Sequence, residues 1–186
     1  MSSKFAAKTL TRNDLIMIEI VPYDCTWPML FEAEASILRE GMRGHALRVE
    51  HVGSTSVPGV AAKPVIDIQV SMATLETLDI LSELLARLGY THVSLGAFDL
   101  VYPFFQKPIE AAGTHHIHLC VLGGEQERRH LAFRDYLRSH PAVASEYVHL
   151  KRSLAAAHDG ATLESRERYS LSKTQFISSV LRDALS

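Results

Sequence analysis

The chain has 186 residues, 47% of them hydrophobic and 22% charged, with a formal net charge of −2. That is bulk enough for one packed domain and leaves little room for a second. A balance so near neutral gives no global field to gather nucleic acid or an acidic membrane surface, so any phosphate binding must be local.

The two cysteines, Cys25 and Cys120, lie far apart with no CxxC or finger spacing, which fits buried free thiols in a reducing compartment. Met1 to Thr11 holds no apolar run of the kind a signal peptide needs, and no segment approaches the ~20 apolar residues of a membrane span. A cytoplasmic protein is expected, with no membrane partner and nucleic acid disfavoured; its oligomeric state is left open.

Residues 1–14 are polar and are expected to form a tail, with a single domain over 15–186. Leu15 to Val21 predicts a strand, ended by Pro22-Tyr23-Asp24. Trp27-Pro28 opens a helix to about Arg43, with Met29, Leu30, Ala33, Ile37 and Leu38 as its apolar face and Glu32, Glu34 and Arg39 in water. Leu47–Val52 is a short strand. Val65–Val70 is a second, so apolar apart from Asp67 and Gln69 that it belongs in the middle of a sheet. An amphipathic helix over Thr74–Leu88 ends at Gly89. Strands follow at Val101–Gln106 and His115–Leu122, joined by a turn over Lys107–Gly113. From Glu125 the chain reads as helical: one helix to about Ser139, one from Pro141 to about His158, and one from Glu164 to Leu185. This order predicts an α/β or α+β fold, a mixed sheet flanked by helices, with a helical C-terminal third.

The stretch that carries chemistry runs from Glu50 to Val70. A strand delivers the chain to Gly53-Ser54-Thr55-Ser56, where a glycine lets the backbone approach a bound group and hydroxyls with successive N–H groups can form an anion nest. The next strand sets Asp67 among apolar neighbours, where a carboxylate is costly unless it meets a cation or hydrogen-bond donors.

The Gly-Ser turn, the spacer and the acid on the following strand resemble the nucleotidyltransferase superfamily, the DNA polymerase beta-like fold. More closely, the chain is similar to the GrpB family (UPF0157), also found fused to some bacterial dephospho-CoA kinases. That resemblance spans about Ile18 to Ile177. It is carried by Pro22-Tyr23-Asp24 with Trp27, by Glu50 to Gly59, and by Ala62-Lys63-Pro64-Val65-Ile66-Asp67-Ile68. His116-Ile117-His118, Phe133 to Arg138, Glu146-Tyr147 with Leu150-Lys151, and Tyr169 with Lys173 and Phe176-Ile177 continue it. The resemblance implies a nucleotidyltransferase-type sheet, phosphates held by the Gly-Ser turn, and divalent metal held by carboxylates.

Two departures stand out. The place two residues after Asp67, where an active superfamily member has a second acid, holds Gln69, a weaker and uncharged metal ligand. A third acid is replaced on its candidate strand by His116 and His118, which share one face while His115 takes the other. Asp67, His116 and His118 are thus the candidate metal site, for Zn, Mn or Fe by donor type and for Mg, Mn or Zn by the resemblance. Gly53, Ser54, Thr55, Ser56 and His51 are candidates for phosphate or substrate contact, with Arg134, Lys151 and Lys173 from the helical third; Lys63 and Asp67 are the candidate catalytic pair. Arg138, Arg152, Arg168 and Lys107 are further cations, while Trp27, Phe133, Tyr136, Tyr147 and Phe176 are expected in the core. The function these residues suggest is a metal-dependent transferase acting on a nucleotide or other phosphorylated small molecule. Gln69 favours a rival, a catalytically impaired nucleotide- or CoA-binding module or regulatory partner, and the histidines favour a metal-dependent hydrolase.

Overall fold

A computed structural model describes residues 18–76, 78–107, 113–158 and 162–186. Five strands form one mixed sheet in the order β1-β2-β5-β4-β3: Arg48–Val52, Ile66–Met72, His115–Val121, Phe104–Lys107 and Thr91–Val93. β2 runs parallel to β5 and antiparallel to β1, so the strand richest in apolar residues does lie inside the sheet. This is the α+β architecture with a mixed sheet that the sequence implies, and its C-terminal third is helical.

Helices α1 (Trp27–Gly41) and α2 (Leu78–Arg87) cover one face of the sheet. There Ile66, Ile68, Val70, Ile117 and Leu119 meet Phe31, Leu38, Leu81 and Leu85 in the main core. A second core lies among α3 (Glu125–Ser139), α4 (Pro141–Ala157), α6 (Thr174–Ala184) and the loop after β1. It contains Val57, Val60, Leu137, Ala144 and Tyr147, with Phe133 and Phe176 packed against them. The expected core places of Trp27 and Tyr147 hold. Tyr136 is half-buried and stacks on His140 with ring centroids 3.8 Å apart.

Several expectations are corrected. The predicted strand over 15–21 falls partly outside the described residues; its remainder forms no strand, and Val21 makes only an isolated bridge with Ala62. On α1 the buried stripe is Trp27, Phe31, Glu34, Ala35 and Leu38, whereas Met29, Leu30, Ala33 and Ile37 face solvent. Glu34 tolerates burial because the Tyr90 hydroxyl donates to its Oε1 at 2.9 Å and Lys107 Nζ at 3.0 Å. The strand expected from Val101 begins only at Phe104, since Gly96–Leu100 is a 3₁₀ turn. β3 has only three residues, too few for a period to register.

The last predicted helix is two: α5 (Leu163–Leu171) and α6, separated at Ser172-Lys173. The Ser172 and Lys173 N–H groups close on the Arg168 and Ser170 carbonyls, which ends α5 before α6 begins at Thr174.

Candidate functional site

Alternation along β2 and β5 explains the site. Ile66, Ile68, Val70 and Met72 point into the main core, so Asp67, Gln69 and Ser71 point to the opposite face. On β5 the same parity sends His116, His118 and Cys120 there. The register then sets these side chains in rows: Asp67 beside His116, Gln69 beside His118, Ser71 beside Cys120. α3 lies over this polar face.

Asp67 Oδ1 stands 3.2 Å from His116 Nδ1 and 3.5 Å from His118 Nε2. Burial alone would raise this carboxyl, but hydrogen bonds from the two imidazoles, with their charge, outweigh it and hold the group well below the usual carboxylate range. Beyond His118 the polar contacts continue. Its Nδ1 is 2.7 Å from the Tyr102 hydroxyl, which is 3.0 Å from His130 Nε2, and His130 Nδ1 is 2.7 Å from Gln69 Oε1. Burial, reinforced by the charge of His118, pushes His130 down to about 3 and keeps it neutral. Gln69 is fully buried, so the residue in the second acid's place anchors this chain instead of facing ligand.

The expected metal trio is brought together, with its members hydrogen-bonded to one another. Among the described residues, no three His, Cys, Asp or Glu side chains are arranged to hold a metal ion. One Asp67 oxygen serves both imidazoles, and the far nitrogen of His118 is engaged by Tyr102.

Gly53 shapes the turn. Its φ of 68° and ψ of −171° belong to a region essentially reserved for glycine, and a Cβ there would come within 2.8 Å of Asp67 Cβ. The backbone thus passes directly over the carboxylate. Ser54–Ser56 form a 3₁₀ turn whose hydroxyls are mostly spent on the protein. Thr55 Oγ1 donates to the Val65 carbonyl and lies 3.0 Å from His51 Nε2; Ser56 Oγ donates to the Gly53 carbonyl at 2.6 Å. Ser54 hydrogen-bonds Tyr147, whose hydroxyl is pushed up to about 12 chiefly by burial.

Below this turn opens a cavity of about 710 Å³. Among the described residues its wall carries the cations Lys63, Arg129, Lys151 and Lys173, and Asp67 as its single carboxylate. Lys151 is 2% exposed, donates to the Ala61 carbonyl and sits 4.7 Å from the Tyr147 ring centroid. Lys173 and Lys63 lie 4.5 and 5.4 Å from the Tyr169 ring centroid. Burial first, then repulsion from Lys173 on Lys151 and from Lys63 on Lys173, lowers Lys151 to about 7 and Lys173 to about 8, against the pull of Asp67. The break before α6 is what delivers Lys173 to this wall.

Of the residues expected from sequence, Gly53, Ser54, Thr55, Lys63, Asp67, His116, His118, Lys151 and Lys173 converge on the cavity. His51, Ser56 and Arg134 do not line it. His51 is buried, stacks on Phe31 at 4.7 Å and is lowered to about 4 by desolvation. Arg134 Nη1 donates to Glu50 Oε2 at 2.8 Å and to the His51 carbonyl, and its Nε to Asp135, so it braces α3 against β1. Arg138 donates to the Ser56 carbonyl, and Arg168 pairs with Glu164 in solvent. Tyr102, Arg129 and His130 complete the site without having been expected. For His130 and Arg129 the signal was present: they lie one turn before Phe133 and Arg134 on the same helix.

A mixed sheet with a glycine turn over a strand-borne carboxylate, roofed by a helical third, defines a domain of nucleotidyltransferase type. The family model described as GrpB protein matches residues 17–183, and the chain belongs to the GrpB family. It is 34% identical over 167 residues to the UPF0157 protein YqkA of Bacillus subtilis, covering 90% of this chain and 47% of that one. It is 31% identical over 166 residues to a dephospho-CoA kinase of Mycolicibacterium paratuberculosis, covering 77% and 41%. The chain thus spans less than half the length of either relative. The crystal structure of the conserved protein GrpB from Enterococcus faecalis is similar with a TM-score of 0.77 at 38% identity, covering 90% of this chain and 97% of that one.

Proposed function

We propose that this chain binds a phosphorylated small molecule of the nucleotide class in the cavity beneath Gly53-Ser54. One observation carries the reading: in a chain of net charge −2, four cations line this cavity against a single carboxylate among the described residues. Lysines whose charge is disfavoured chiefly by burial, and further by neighbouring cations, gain most from an incoming polyanion, which restores that charge. The dephospho-CoA kinase name of one relative supports a nucleotide-type ligand.

The fuller reading is phosphoryl- or nucleotidyl-group transfer. Mg is commonly held by one or two carboxylates together with substrate phosphates, and Asp67 supplies one carboxylate beside them. The reading therefore has Mg, Mn or Zn arrive with the phosphates, where it would neutralise their charge. Lys63, Lys151 and Lys173 would hold phosphate oxygens, and Gly53 would keep the backbone close enough to touch them. Burial of Gln69 favours the second reading, a nucleotide- or CoA-binding module with no transfer step.

A thermal-shift panel of pyrophosphate, tripolyphosphate, nucleoside triphosphates, CoA and dephospho-CoA, each with and without Mg, Mn or Zn, tests both. A ligand at a hundred times its Kd stabilises by roughly 2.7 kcal/mol. Stabilisation by phosphate compounds that Lys151→Met and Lys173→Met weaken supports the reading; no shift from any of them overturns it. Metal-dependent stabilisation that survives Asp67→Asn unchanged removes Asp67 from the metal role. Pyrophosphate release from a triphosphate separates transfer from binding.

A further inference from the structure

Opposite the lysines the cavity has a different character. Leu95, Phe98, Tyr102 and Phe104 line it from the β3–β4 edge of the sheet. Tyr102 and Phe104 are occupied by the histidines, with ring centroids 5.0–5.3 Å apart. Leu95 and Phe98 are not: they are 39% and 67% exposed, and their neighbours Leu100 and Val101 are 80% and 53% exposed. A cluster of bare apolar side chains beside a cavity marks a binding surface more often than chance exposure.

The segment is a built one. Asp99 Oδ1 accepts the Leu95 N–H at 3.0 Å and its Oδ2 accepts the Ser94 hydroxyl at 2.8 Å. The Phe98 carbonyl accepts the N–H groups of Val101 at 3.0 Å and Tyr102 at 2.7 Å. The backbone is thus pinned while the Phe98 ring stays bare on the cavity rim. With the backbone already pinned, a flat group stacking here has only the Phe98 side chain to order, not the loop.

Resting on the phosphate-binding reading, we infer that Leu95 and Phe98 form a platform for a flat aromatic ring at the non-phosphate end of the ligand. Geometry limits the occupant. The Gly53 turn passes over Asp67 on β2 and the platform precedes β4, two strand spacings away, or roughly 10 Å at about 4.8 Å per strand. Inorganic phosphate and pyrophosphate are too short to touch both ends. A phosphate ester with a ring system at its far end reaches from the lysines to Phe98, and nucleoside phosphates are the probe for that class.

The test compares the four nucleoside triphosphates with inorganic tripolyphosphate by calorimetric titration, on the wild type and on Phe98→Ala and Phe98→Trp. Phe98 is largely exposed, so both variants should fold, and circular dichroism checks this. Expected is at least one triphosphate binding more tightly than tripolyphosphate. Phe98→Ala should weaken that triphosphate by at least about fivefold, the low end for a stacked base, with tripolyphosphate unchanged and Phe98→Trp retaining the preference. If tripolyphosphate binds but every nucleotide binds equally in the wild type and Phe98→Ala, the platform is overturned and phosphate binding stands. If neither tripolyphosphate nor any nucleotide binds, phosphate binding itself falls and the platform with it.

Discussion

Replacing Gly53 by Ala should do two separable kinds of damage. The first is conformational: at φ 68° and ψ −171° a Cβ costs about 1–3 kcal/mol. The second is steric, because the new methyl would meet the Asp67 side chain, with its Cβ at 2.8 Å, and overpacking of this kind costs about 1–3 kcal/mol. Together they predict a loss of about 2–6 kcal/mol. Gly59 provides the control: its φ is 79°, but nothing lies within 4 Å of where its Cβ would be, so Gly59→Ala should lose only roughly 1–2 kcal/mol. Urea unfolding of both variants measures the difference as a midpoint shift at constant slope. In an Asp67→Gly background the steric share should vanish, appearing as a coupling of about 1–3 kcal/mol in a double-mutant cycle. Equal losses at positions 53 and 59, or no coupling to position 67, would refute the close approach of turn and carboxylate.

The lysine wall predicts a pH dependence whose sign is fixed. Lys151 and Lys173 are lowered to about 7 and about 8 in the folded chain, so the unfolded chain binds more protons above pH 7. Their contribution to stability therefore rises from pH 7 toward 10, while tripolyphosphate affinity falls as their charges are lost. Binding near pH 8 should take up protons, which titrations in buffers of different ionisation enthalpy detect; no uptake would contradict the assignment. Behind the sheet, Glu34→Ala should cost about 1–3 kcal/mol by stripping the Tyr90 hydroxyl of its acceptor, without altering tripolyphosphate affinity.

Much of this was legible in the sequence because the signals are local. The apolar run Ile66–Val70 announces an interior strand, and the i, i+2 spacing of Asp67 with Gln69 and of His116 with His118 sets each pair on one face. What stayed hidden depends on partners distant in the chain. Glu34 looks like a wet residue until Tyr90 and Lys107 arrive, and the hydrophobic period of α1 was misjudged with it. Arg134 carries a phosphate-binding type of side chain, yet Glu50 and the His51 carbonyl claim it. The break at Ser172-Lys173 has no Gly or Pro to mark it. Tyr102 lies in no motif, and only the sheet register with α3 above it joins it to Asp67 through His118.

The molecule's two hydrophobic clusters meet at this cavity: Asp67 and the histidines stand on the sheet, whereas Lys151 and Lys173 belong to the helices of the second core. Each cluster is a unit of local stability with its own opening free energy. A ligand gripping both sides is then a cross-link between two cooperative units. Its occupancy should register in amide exchange along the whole of α4 and α6, beyond the Lys151 and Lys173 positions it grips, before the strands beneath respond.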